Sequence, residues 1–378
     1  MSPAAPSTPT PMPPSDRPGD PGSASPGGDA TALQNRMMWR GQAGHYEVWY
    51  LTLSHLLSRT GFWIRYTLES PSPSHGQPYV QLWFCRGDAQ DPSRNFGINQ
   101  RFPISTLASL QSPFSIRIGD AQLSHHSMRG ELSGDGHHVR WDLQWRPAEK
   151  THLFLPQSLY REPFGIAETL VLSPNLSIAI RGTIEVDGQV YELKDDPGGQ
   201  THLWGRKHAY AWAWGHCNAF RDASDPTRPS QAVLETLSVR MRRGPVVVPL
   251  TLFALYPDGL AGDCIRFTEW SDLPFCRSDY RTGHYSLLGQ GGRYKVEARF
   301  SCQADDMLRS EYVDPDGTPA YCHFAAAAHC HLTLWQRPLP TAGWRLDREL
   351  RSESGAQFEW GGRAGDSLVR RRHVTVGI

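Results

Sequence analysis

From His208 to Phe220 the sequence alternates without a break. His208, Tyr210, Trp212, Trp214, His216, Asn218 and Phe220 take one parity; Ala209, Ala211, Ala213, Gly215, Cys217 and Ala219 take the other. A strand sends successive side chains to opposite faces, whereas a helix would mix the two sets. The segment therefore reads as a strand with one large aromatic-polar face and one small face. Two readings of the large face stay open. It is the core of a β structure, with the small face admitting another layer closely, or it is the wall of a pocket for a big, mostly apolar molecule.

The same period of two recurs along the chain. Phe62, Ile64, Tyr66 and Leu68 share a face, as do Val139, Trp141, Leu143 and Trp145 opposite Arg140, Asp142 and Gln144. Asp135-Gly136, Asp187-Gly188 and Asp316-Gly317 separate such runs. Asp-Gly supplies the positive φ angles of tight hairpin turns, so these read as antiparallel hairpins. The expected fold class is all-β, with one short helix as the exception, within Arg101–Leu110. A chain of 378 residues is long enough for two β sandwiches or barrels. A faint internal echo fits two halves: Trp39 followed by His45 and Trp49, and Trp204 followed by His208 and Trp212. The boundary is expected at the turn-rich Asp195-Asp196-Pro197-Gly198-Gly199, giving a first domain over 35–200 and a second over 201–378. Residues 1–34, rich in Pro, Ser, Gly, Ala and Thr, read as a disordered tail.

Charge excludes some functions. Thirty-eight Lys and Arg balance 38 Asp and Glu, so no net field favours nucleic acid. The run Arg370-Arg371-Arg372 reads as a solvated tail. Seven scattered cysteines, odd in number and never spaced as CxxC, indicate free thiols in a reducing compartment. No stretch approaches the ~20 apolar residues of a membrane span, and the first residues lack the pattern of a secretory signal. The expected location is cytoplasmic. Cys322-His323 and His329-Cys330-His331 match no standard zinc spacing, and no metal is expected. Phosphate-binding loops, a Rossmann glycine pattern and a GxSxG elbow are not found, so no cofactor is expected.

Two segments carry a resemblance. Tyr46-Glu47-Val48-Trp49-Tyr50 is similar to an early Phe-Glu-Gly-Trp-Tyr motif, with Val48 in place of Gly. Thr201-His202-Leu203-Trp204-Gly205 is similar to Asp-His-Asn-Trp-Gly, with Thr201 replacing the acid and Leu203 the Asn; Asn218 matches the end of the Trp-rich strand that follows. Over roughly residues 37–345 the chain resembles the tocopherol cyclase-like group, including the carotenoid 1,2-hydratases (hydroxyneurosporene synthase type) and the AttH-like proteins. The resemblance implies two tandem lipocalin-like, calycin-like antiparallel β-barrels. It implies an apolar ligand, isoprenoid or lipid, between or within them. A transient contact with a membrane surface would serve its uptake.

The family reactions begin by protonating an alkene, which needs a shielded acid and a wall that tolerates a cation. Glu47 is the expected donor, because a strand places it on one face with Trp49, Leu51 and Leu53. Glu168, beside Ile166 and Leu170, is a second candidate. His202 and His216 would relay protons. Trp49, Trp204, Tyr210, Trp212 and Trp214 would shape the pocket, and Asn218 would hold a polar end. The expected function is a proton-initiated lyase or isomerase that hydrates or cyclises an isoprenoid alkene. The alternative is a carrier with the same pocket and no reaction, and a third reading is a scaffold with filled interiors.

Overall fold

The computed structural model describes residues 34–155, 160 and 168–376. Of the expected tail 1–34, all but Gln34 lies outside the described residues. The fold is nearly all-β, in two sheets. The chain first lays down β1 (His45–His55), β2 (Thr60–Ser70), β3 (Tyr79–Asp88), β4 (Phe96–Pro103), β5 (Leu107–Gln111) and β6 (Phe114–Ile118). Next come β7 (Ala121–Ser124), β8 (Ser127–Gly134), β9 (His137–Trp145), β10 (His152–Leu153), β11 (Thr169–Val186) and β12 (Gln189–Gly205). The second sheet takes β13 (Ala211–Cys217), β14 (Arg221–Asp222), β15 (Val233–Arg243), β16 (Val246–Tyr256), β17 (Ile265–Phe267) and β18 (Cys276–Arg281). It is completed by β19 (His284–Gly291), β20 (Tyr294–Ser301), β21 (Leu308–Val313), β22 (Pro319–Gln336) and β23 (Arg345–Gly362). The last strand, β24 (His373–Val376), returns to the first sheet.

The first sheet runs β24-β4-β3-β2-β1-β12-β11-β9-β8-β7-β6-β5, with β10 on β11. The second runs β17-β16-β15-β13-β23-β22-β20-β19-β18, with β14 on β23 and β21 on β22. Every pairing between these strands is antiparallel except β24 on β4. Asp135 and Asp187 adopt φ of 52° at the expected β8–β9 and β11–β12 turns. The short helix expected within Arg101–Leu110 is instead the end of β4, a single 3-10 turn at Ile104–Thr106, and β5. Asp195 is not in a loop between strands. It sits inside β12 with φ of 68°, where the pairing with β11 shifts register, and its carboxylate bonds Arg181. The 200/201 boundary thus falls within a continuous strand. Among the described residues no helix is long and apolar enough to cross a membrane, and all seven cysteines are free.

Each sheet wraps a core of its own, and a third apolar cluster joins the two. Trp49, Leu51 and Leu53 of β1 enter the first core with Phe62, Ile64, Tyr66 and Leu68, and with Val139, Trp141, Leu143 and Trp145. Ala213 and Cys217 of β13 enter the second core with Phe300 and Phe358. The opposite faces of these strands meet between the sheets: Tyr46, Val48, Tyr50 and Trp63 from the first, Trp212, Trp214, Cys322 and Phe324 from the second. The alternation at 208–220 follows from this arrangement. The small face must admit the Phe300 ring, which would lie 2.7 Å from a Cβ on Gly215.

The sheets touch most closely where β22 crosses β2 and β3. A Cβ on Gly61 would stand 1.8 Å from the Ala326 carbonyl oxygen. That atom is backbone, in β22 at the irregularity between Ala325 and Ala328, so no side-chain rotation can move it away. Gly61→Ala should therefore pry the sheets apart and destabilise the fold by about 3 kcal/mol or more. Urea denaturation would read the loss, and an unchanged midpoint would contradict this packing.

Candidate active site

A cavity of about 780 Å³ lies between the two sheets. Tyr46, Val48 and Tyr50 of β1 and Trp63 and Arg65 of β2 line one side; Tyr210, Trp212 and Trp214 face them from the other. Tyr50 meets Trp214 edge-on, ring centres 5.8 Å apart. The large face of the 208–220 segment is thus a cavity wall as far as Trp214. Beyond that it turns structural. His216 Nδ1 meets Glu235 Oε2 at 2.7 Å, and Trp214 Nε1 donates to the other oxygen of the same carboxylate. Asn218 donates to Ser177 Oγ and to the Gly198 carbonyl, both 3.0 Å away, and so ties β13 to β11 and β12.

Glu47 and its neighbours lie on the other side of β1. Period two sends Tyr46, Val48 and Tyr50 to the cavity, and it sends Glu47 and Trp49 away from it. The Glu47 carboxylate is fully buried. It accepts from the backbone N–H groups of Met38 (2.7 Å) and Trp39 (2.9 Å) and meets His202 Nε2 (2.9 Å) and His45 Nε2 (3.2 Å). Burial works to raise its pKa, but the bonds from His202, His45 and Met38 hold it below the ordinary carboxylate value. This geometry keeps a carboxylate charged rather than poised to give up a proton. His202 Nδ1 donates to the Gln34 carbonyl, and the ring stacks on Trp49. Trp49 Nε1 donates to the Asn35 carbonyl. Trp204 leans on His202. Together these residues clasp the segment around 34–39 against β1 and β12. In the 201–205 motif it is Leu203, not His202 or Trp204, that reaches the cavity. Glu168 does reach it, from an exposed position at the rim.

The acid inside the cavity is one the sequence reading did not single out. Glu359 of β23 pairs in register with Trp214 and accepts from Trp212 Nε1 at 2.8 Å. Its other oxygen lies 3.3 Å from Cys322 Sγ. Burial raises its pKa, against the bonds from Trp212 and Cys322 and the more distant charges of Arg65 and His208. Burial among aromatic rings thus shifts Glu359 towards its acid form. The sequence signal is slight: a lone carboxylate between Phe358 and Trp360 in an otherwise uncharged run from Gly355 to Gly362.

His208 completes the set. Its Nδ1 lies 2.6 Å from Asp314 Oδ1, and Asp314 is also bonded by Arg363. Burial would raise the Asp314 pKa, but the bonds from His208 and Arg363 outweigh it and keep the carboxylate ionised. Tyr46 and Tyr312 stack on the His208 ring. With Nδ1 held by a carboxylate, Nε2 is the nitrogen left as a base, and it has no hydrogen-bond partner among the described residues. Cys322 is bonded to Glu359; His331, in contrast, bonds Glu349 on the outer surface.

Comparison with known proteins accords with this architecture. A match to the family described as Tocopherol cyclase-like spans residues 121–362. The chain belongs to the tocopherol cyclase-like family. Two relatives, the uncharacterized proteins Rv0493c and MT0513 of Mycobacterium tuberculosis, are 26% identical over 305 residues, covering 79% of this chain and 84% of theirs. Among solved structures, a candidate AttH protein of Nitrosomonas europaea shares the fold of this tocopherol cyclase-like chain. Its TM-score is 0.51 at 14% identity, over 92% of this chain and all of that one. Kievitone hydratase of Nectria haematococca is more distant, with a TM-score of 0.44 at 10% identity over 84% of this chain and 89% of its own.

Proposed function

We propose that this protein is a proton-initiated lyase or isomerase that takes an isoprenoid or similarly apolar alkene between two lipocalin-like halves. The observation that carries the reading is Glu359, a half-buried acid lining the cavity and bonded to a cavity-wall tryptophan, with its pKa raised. A neutral carboxylic acid can give its proton to one alkene carbon, leaving a cation on the other. The faces of Trp63, Trp212 and Trp214 attract such a cation by roughly 0.5–2 kcal/mol each. Water, or a hydroxyl of the ligand itself, then adds to the cation and passes a proton to His208 Nε2, steadied by Asp314. The net change is addition of H and OH across the double bond, or ring closure when the hydroxyl is internal. Return of the proton to Glu359 regenerates the acid. In this reading Glu359 takes the role expected of Glu47, and Glu47 and His202 hold the fold around the wall.

A carrier with the same cavity is the second reading, favoured by Thr201 where the resembled motif has an acid. Incubation with prenyl quinols, carotenoids and acyclic polyenes in heavy water separates the two. The enzyme reading expects product carrying one carbon-bound deuterium. Ligand bound and recovered unchanged from the whole panel would favour the carrier.

A further inference from the structure

Arg65 is an oddly placed cation. It sits at the middle of β2, 4% exposed, on the face that looks across to the second sheet, and it lines the cavity. Its guanidinium lies over the rings of Tyr312 (4.7 Å), Trp83 (5.2 Å) and Trp63 (5.6 Å). Its Nε donates to Thr67 Oγ1 at 2.8 Å, which fixes the plane of the group. The two terminal nitrogens have no hydrogen-bond partner among the described residues. Nor does any described carboxylate stand within ion-pair distance.

None of the nearby acids is paired with it among the described residues. Glu69, two positions beyond Thr67 on the same face, is pushed up to about 8 by burial in spite of Arg65. Glu359 is likewise held above the ordinary range by burial. Asp314 is ionised, but Arg363 and His208 already engage it. At the rim, Lys207 is paired with Asp316, and Arg242 lies over Tyr210. A buried charge without a partner is costly, and aromatic faces return only part of that cost. With Nε occupied, the free edge of Arg65 is its NH1/NH2 pair, two coplanar donors spaced for the two oxygens of one carboxylate.

We propose that the cavity takes an amphipathic ligand whose carboxylate is bound end-on by Arg65, with its apolar chain lying along the wall formed by Tyr210, Trp212 and Trp214. This rests on the reading of the cavity as an isoprenoid site and narrows it from hydrocarbons to acids. Arg65 is a specificity residue, and the carboxylate supplies the charge that the pocket lacks. A diphosphate head fits less well, because two of the three Lys and Arg side chains that line the cavity besides Arg65, Lys207 and Arg363, are already paired with Asp316 and Asp314, and the third, Arg242, lies over Tyr210.

The test compares four ligands with one tail: farnesoate, farnesol, farnesene and farnesyl diphosphate. Each is titrated into the full chain near neutral pH, with binding read by quenching of tryptophan fluorescence and by calorimetry. Farnesoate should bind about 10- to 100-fold more tightly than farnesol, the range of a charge-assisted hydrogen-bond pair. Arg65→Met should abolish that preference and leave farnesol affinity within a few-fold, and Arg65→Lys should restore part of it. A thermal melt of each variant separates a lost contact from a lost fold, and the wild-type comparison stands even if Arg65→Met does not fold. Equal affinity for farnesoate and farnesol in the wild-type protein overturns the carboxylate proposal while leaving the apolar cavity intact. Tighter binding of the diphosphate overturns it as well. Failure of all four ligands to bind overturns both the proposal and the reading beneath it.

Discussion

Glu359→Gln should lower turnover by about 10²- to 10⁴-fold, the usual contribution of a positioned general acid, with ligand affinity changed only a few-fold. The amide keeps an oxygen for Trp212 Nε1 and loses the transferable proton. The measurement is product formation under saturating ligand, alongside fluorescence quenching for binding. The pH profile gives a second readout. Burial raises the Glu359 pKa, so its acid form persists above the ordinary carboxylate value of 4.5 and disappears as pH rises through the raised value. Activity should fall on that alkaline side. The same shift makes the folding contribution of Glu359 greatest below 4.5 and smaller as pH rises through the folded pKa. A variant with unchanged turnover would remove Glu359 from the chemistry.

Glu47→Gln should behave in the opposite manner, with ligand binding retained and stability lost. Both carboxylate oxygens accept two bonds each, one from backbone N–H and one from histidine. An amide nitrogen in either place points a donor at a donor. Breaking a buried charged network from one side costs about 3–5 kcal/mol, which for a chain of this size lowers the thermal midpoint by roughly 4–6 °C. Its pH dependence has the reverse sign to that of Glu359. The Glu47 pKa is held below 4.5, so its stabilisation is complete above 4.5 and is lost as pH falls through the lower folded value. Acid unfolding of the wild-type protein should therefore be steeper than that of the variant. A variant as stable as wild type, or one that loses turnover at full stability, would reverse the two assignments.

These two glutamates show where sequence reading succeeds and where it stops. Strand periodicity is local, so the hairpins at Asp135 and Asp187, the shared face of Phe62 to Leu68, and the large face at Tyr210, Trp212 and Trp214 were all readable. Which face of a strand meets the other sheet is not local. Glu47 shares a parity with Trp49 and Leu51 and so looked like an isolated acid in apolar surroundings. Its partners, the N–H groups of Met38 and Trp39, come from a segment with no regular pattern to reveal it. Glu359 looked ordinary because an alternating strand commonly carries a carboxylate on its wet side. Only the placement of β23 beside β13, some 145 residues earlier, turns that side into a cavity. The surroundings of Arg65 are hidden for the same reason, since its cage draws on Trp83 and on Tyr312 from the far half of the chain.

The strand β24 bears on how such a chain is made. It lies parallel on β4, and just before it the Arg309 amide bonds the Arg371 carbonyl, so the last residues clip β21 of one sheet to β4 of the other. Some 270 residues separate the end of β4 from the start of β24. At ribosomal speeds of about 5–20 residues per second, β4 waits roughly 15–50 s with its outer edge unpaired. Over that interval the nascent chain carries an open template for strand addition by its neighbours.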